Sequence, residues 1–200
     1  MMRIFFVLLF CLLAGPGFSQ YNWKLEKDKN GIKVFTSELK NSSFKAIKVE
    51  CTLTGSYSKL ISVLTNVSKF NDWIYNTKTS KLVKQITALD FIYYSETRMP
   101  VPFSNRDAVI HLQIKTENLP QFLTITGKNR PGLFPEMPGK VRVNHYVSQW
   151  KVTMPSANTI RINYIVEMDP GGNMPAWVAN MFAEKGPYGT FSELAKLLTE

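Results

Sequence analysis

Glu96 and Arg98 stand two residues apart in the strand-like run Asp90–Met99, on the face that also carries Ile92 and Tyr94, because alternate residues of a strand point the same way. If that face is concave, a carboxylate and a guanidinium meet inside an apolar enclosure and can orient a ligand hydroxyl or headgroup, since buried charges must be paired or hydrogen-bonded. If it is convex, both charges are solvated. Arg106 and Asp107 are adjacent and so point to opposite faces; each is expected to tie the strand start to a neighbouring loop. Beyond them Ala108, Ile110, Leu112 and Ile114 form a purely apolar face.

The residue types that usually carry catalysis do not gather. His111 and His145 are the only histidines, and neither has a serine or cysteine in a nucleophile context. Gly-x-Ser-x-Gly and glycine-rich phosphate loops are missing, and no His/Cys/Asp spacing suits a metal. Glu167 and Asp169 share a strand face, but charges at a strand end read as solvated rather than as an acid–base pair. No catalytic residue, metal or cofactor is therefore expected. Aromatic side chains make up 12% of the chain; most must be ordinary core, and a ligand pocket would recruit a subset. Tyr94, Tyr146 and Tyr164, which bring hydroxyls, and Trp177 are the candidates.

The elements that would position these groups read mostly as strands. Gly31–Lys40 and Phe44–Thr54 flank the polar turn Asn41-Ser42-Ser43, and Ile47, Val49, Cys51 and Leu53 alternate with Lys48, Glu50 and Thr52. From Ser56 to Trp73 the spacing of Leu60, Val63, Leu64, Val67 and Phe70 is helical, with Ser56 or Ser58 as cap and Asn66 and Asn71 as breaks. Strands are expected at Thr79–Gln85, Asp90–Met99, Arg106–Asn118, Gln121–Lys128, Val141–Met154 and Thr159–Asp169. An apolar stripe from Trp177 and Met181 through Phe191 to Leu198 closes the chain as one long helix, which Gly186-Pro187 should kink or briefly break. Short links favour antiparallel neighbours, and only the last helix is long and apolar enough for a curved sheet to grip. The fold class is α+β, a curved antiparallel sheet wrapped around a C-terminal helix.

The first 19 residues stand apart. Arg3, the apolar run Ile4–Leu13, the break Gly15-Pro16-Gly17 and the small Ser19 read as a signal peptide, cleaved near Ser19–Gln20. The apolar run is about half of the roughly 20 residues that a membrane span needs. The product, residues 20–200, is expected to be a single domain, exported to the periplasm or beyond, and monomeric. Cys51 alone would remain, which leaves no partner for an internal disulfide. The net charge of +9 is scattered rather than clustered, which favours solubility or transient contact with anionic membrane surfaces over nucleic acid.

Four segments, in order, resemble the START (steroidogenic-acute-regulatory-related lipid transfer) family. They are Trp23-Lys24-Leu25 followed by Gly31–Thr36, Phe70-Asn71-Asp72-Trp73, Asn105-Arg106-Asp107, and Asp169–Asn180, across essentially Trp23 to Leu198. The resemblance implies an internal tunnel between sheet and C-terminal helix that holds a lipid or other hydrophobic molecule. It also implies a lid, here Pro100, Val101, Pro102, Phe103 and Ser104 with Met174, Trp177 and Met181, hinged at Gly171-Gly172 and Gly186-Pro187. The lining would draw on Tyr94, Glu96, Arg98, Ile110, Leu112, Tyr146, Tyr164, Trp177 and Met181. Some relatives place an arginine on the inner face where Leu112 stands here, which argues for a more apolar ligand. Two other readings stay open: an enzyme of the wider helix-grip superfamily, such as a cyclase or hydrolase, and a scaffold whose hollow is filled by its own side chains.

Overall fold

The computed structural model describes residues 21–200, so the signal-peptide reading lies outside the described residues. The strands are β1 (Lys24–Lys29), β2 (Ile32–Leu39), β3 (Ser42–Thr54), β4 (Thr77–Thr87), β5 (Asp90–Thr97), β6 (Arg106–Lys115), β7 (Leu123–Asn129), β8 (Val141–Arg142), β9 (His145–Ser156) and β10 (Thr159–Asp169). The helices are α1 (Tyr57–Thr65), α2 (Phe70–Trp73) and α3 (Ala176–Leu197). One curved sheet orders the strands β1-β2-β3-β10-β9-β7-β6-β5-β4 with antiparallel neighbours, and the two-residue β8 runs parallel to the start of β6.

The alternation in β3 does what its pattern requires. Val49, Cys51 and Leu53 are buried on the inner face while Thr52 is exposed and Lys48 and Glu50 are only partly covered. The same face continues through Ile160 and Ile162 of β10, Val152 of β9 and Leu123 and Ile125 of β7, all with no exposed surface. Each such side chain contributes roughly 1.5–3 kcal/mol relative to an exposed one. Ser56 caps α1 by accepting from the Lys59 amide, and Asn66 ends it.

Three expectations are corrected. β1 was not anticipated, because Lys24–Lys29 carries no alternation; it is an exposed edge strand. Its turn, Asn30-Gly31, has positive φ at both residues (53° and 74°), the geometry that Asn-Gly hairpins adopt. The expected strand Val141–Met154 is two strands, with β8 drawn away to β6. α3 stays helical through Gly186-Pro187, so the break alternative does not hold. The turn after α2 docks at that point: the Tyr75 ring lies so close to Gly189 that a Cβ there would stand 2.9 Å from it, and the Tyr75 amide donates to Thr190 Oγ1.

α3 lies principally over β2 and β3 and touches α2. Val178, Ala183, Phe191 and Leu194 are its buried residues. Phe191 completes an aromatic cluster with Trp150 and Tyr164, ring centroids 5.2 and 5.5 Å away. Near its start, Asn180 holds the β2–β3 turn through the Ser43 carbonyl and the Lys45 amide, and Lys27 pairs with Glu184 at 2.7 Å.

Candidate functional site

The sheet register divides the expected site residues between two faces. Tyr93 pairs with Ile110, and Phe91 with Leu112, so these four share the inner face with Ala108. Tyr94 pairs with Val109 and Glu96 with Asp107, which puts Tyr94 and Glu96 on the opposite, convex face. There Ile92, Tyr94 and Val109 form a second apolar cluster, covered by Val83, Phe134 and Met137. Both faces of β5 and β6 are thus buried. The proline-rich segment between β7 and β8 supplies that second cover, so Tyr94 and Glu96 are enclosed without facing α3.

Arg142 holds the cover in place. Its guanidinium donates to both Asp107 carboxylate oxygens at 2.8 and 3.1 Å, and to the carbonyls of Pro131, Phe134 and Pro135. The hydrogen bonds it donates to Asp107 are the main cause that raises the Arg142 pKa further. Glu96, 5% exposed, accepts from Asn105 Nδ2 at 2.7 Å and Lys78 Nζ at 3.1 Å, with Lys140 at 3.7 Å. Burial opposes ionisation of Glu96, but these donors and the lysine charges prevail and hold its carboxyl below its ordinary value. Arg98 is not paired with Glu96. It is exposed, donates to the Thr77 carbonyl, and borders a surface groove of about 280 Å³ with Tyr75 and Glu193.

Arg106 ties the strand start to its neighbours: Nη1 donates to the Ser104 carbonyl, Nε to Pro170 and Nη2 to Gly171. Gly171 and Gly172 have φ of 69° and 62°, left-handed values that glycine adopts at little cost. The loop Pro100–Asn105 and the turn into α3 therefore meet at one guanidinium. Val101, at the loop tip, is 96% exposed. Trp177 and Met181, expected against the sheet, face outward at 67% and 55% exposure, because Val178 and Ala183 turn inward instead.

The inner face carries a polar group that sequence reasoning assigned only in part. Tyr93, Tyr146 and Tyr164 come from β5, β9 and β10 and lie near one another, with Ser148 beside the Tyr146 ring at Gly127. Burial pushes all three phenols up, Tyr93 and Tyr164 well above the ordinary value. Tyr146 and Tyr164 stand on the inner face and are half-buried, keeping accessible surface. Gly127 gives Tyr146 its room: a Cβ there would stand 3.1 Å from the ring and 3.5 Å from Ile110. Tyr93 went unassigned because its neighbour Tyr94 was placed on the inner face. Among the described residues no His/Cys/Asp/Glu group could hold a metal.

The START domain family model matches residues 11–199. The chain belongs to the START family. A 33% identical relative is an uncharacterized protein of Pseudomonas aeruginosa, aligned over 91% of this chain and 89% of that one. The phosphatidylcholine transfer protein of Bos taurus is 24% identical over 92% of this chain and 87% of its own. Among solved structures, a STAR-related lipid transfer protein from Xanthomonas axonopodis superposes with a TM-score of 0.81 at 29% identity, covering 89% of this START chain and 99% of that one. Membership supports lipid binding or transfer in general terms. The ten-stranded curved sheet with its C-terminal helix is the START helix-grip fold.

Proposed function

We propose that the chain carries a lipid or similar apolar molecule in a tunnel between α3 and the inner faces of β5, β6, β7 and β9. One observation carries this reading. Tyr146 and Tyr164 stand on the inner face beside the buried Ser148 and Trp150 and still keep accessible surface, as side chains bordering a hollow do. α3 lies mainly over β2 and β3, and on the inner face of β6 Ala108 keeps accessible surface beside the buried Ile110 and Leu112. Each methylene removed from water there is worth roughly 0.8 kcal/mol, enough for an insoluble molecule to be held. The names of the lipid transfer relatives point the same way.

Val101, Trp177 and Met181 are exposed apolar groups on the two segments that Arg106 joins, and they suit brief contact with a membrane while cargo moves. The basic balance of the chain favours anionic surfaces. Export of a processed chain beginning near Gln20 belongs to the same proposal; intact-mass measurement of the secreted or periplasmic protein checks it. Native mass spectrometry with lipid extraction of the purified protein tests the carrier function. A stoichiometric apolar adduct supports it, and a bare chain after exposure to lipid overturns it.

A further inference from the structure

We propose, on the carrier reading above, that the cargo is a neutral amphiphile, mostly hydrocarbon with an uncharged headgroup of hydroxyl or carbonyl oxygens, which docks on the hydroxyls of Tyr93, Tyr146 and Tyr164. Three phenols from three strands stand near one another on the inner face, and the Ser148 hydroxyl lies with the Tyr146 ring against Gly127. Phenol and alcohol hydroxyls both donate and accept, so the cluster matches a hydroxyl or a carbonyl equally well. Gly127 lies under the Tyr146 ring, and the cross-strand row Tyr93–Ile110 brings the first phenol alongside it.

Charge on the same face is the discriminating absence. Among the described inner-facing positions of β5, β6, β7, β9 and β10, only Arg106 is charged. Its guanidinium is already committed to the carbonyls of Ser104, Pro170 and Gly171. The residues that α3 buries, Val178, Ala183, Phe191 and Leu194, are apolar. A phosphate entering this space would be an ion stripped of water with no cation to pair with, which is strongly unfavourable. Aromatic rings could face a quaternary ammonium, but the phosphate that accompanies it in a phospholipid would still lack a partner. Burial also keeps the phenols neutral, so they offer no counter-charge of either sign.

The test uses protein expressed from the full chain and vesicles containing equal amounts of dioleoylglycerol, dioleoylphosphatidylcholine and dioleoylphosphatidylglycerol. These lipids share their acyl chains and differ in headgroup. After incubation and re-isolation, native mass spectrometry reads which one is bound. Dioleoylglycerol is expected to exceed either phospholipid by about tenfold, and this preference should fall about fivefold when Tyr146→Phe and Tyr164→Phe remove the hydroxyls but keep the rings. The single variant Tyr93→Phe reads the same preference should the double variant fail to fold. Preferential uptake of either phospholipid, or a preference unchanged in folded phenylalanine variants, overturns the neutral-cargo assignment and leaves the carrier function standing. Uptake of none of the three overturns both.

Discussion

Gly127 of β7 lies directly across from Ser148 of β9, so close that a Cβ on the glycine would stand 2.5 Å from the serine Oγ. The serine can rotate away, but the Tyr146 ring behind it must also give. Gly127→Ala is therefore expected to cost about 1–3 kcal/mol by overpacking, partly offset by the lower entropy of the unfolded chain. The displaced phenol should also lower occupancy by co-purifying lipid. Thermal melting and native mass spectrometry on the same sample check both effects.

Asp107 and Arg142 form a buried pair in which removal of one member strands the other. Asp107→Ala should destabilise the protein by about 3 kcal/mol or more, because the guanidinium stays buried with only carbonyls to meet it. Asp107→Asn keeps an acceptor and should cost less. Urea unfolding of the two variants separates the values. The segment that covers Tyr94 should become protease-sensitive in Asp107→Ala first, since Arg142 is what holds it.

Glu96 predicts a pH dependence with a definite sign. Its carboxyl titrates lower in the folded protein than the ordinary 4.5 of an unfolded chain. The contacts from Asn105, Lys78 and Lys140 therefore stabilise the fold above that ordinary value, and the contribution disappears as pH falls through the lower folded value. Wild type should exceed Glu96→Gln by about 1 kcal/mol near neutrality. The two should converge as the medium becomes strongly acidic. Urea titrations across that range read the difference.

Gating by the first part of α3 can be tested by tethering it. Ser43→Cys with Asn180→Cys places thiols where the Asn180 amide meets the Ser43 carbonyl. Joined by a short reducible crosslinker, the pair should slow exchange of a pyrene-labelled lipid at least about tenfold, with recovery on reduction. Cys51 should not interfere in the processed chain, because it is buried and its thiol is pushed up to about 12. An unchanged exchange rate in the tethered protein would count against a moving helix.

Much of the architecture was legible because single-sided burial leaves a clear period. β3 alternates, α1 repeats at helical spacing, and the final stripe marks α3. β5 and β6 gave no such guide, since Ile92, Tyr94 and Val109 are enclosed on the convex side while Tyr93 and Ile110 are enclosed on the other. Alternation says which residues share a face, but it does not say which face is inside. Tyr94 and Glu96 were accordingly grouped with the lining, and Tyr93 was passed over. The Arg106 contacts followed from position alone, because a charge at a strand start between two loops has backbone carbonyls to meet. Trp177 and Met181 misled for another reason: their spacing matches a stripe whose buried members are Val178 and Ala183, one helical step around.

Tyr75 divides α3 into unequal arms. Beyond the contact with Gly189, Phe191 and Leu194 are locked among the sheet's aromatics and aliphatics. Before it lies the arm Ala176–Lys185, about 15 Å long, held by the buried Val178 and Ala183, by Asn180 and by the part-buried ion pair of Glu184 with Lys27. A rod pinned partway along can pivot only about its pin. On the carrier reading proposed above, any widening would be confined to one end of the molecule, a one-door vessel whose far wall stays shut and whose contents enter and leave by the same route.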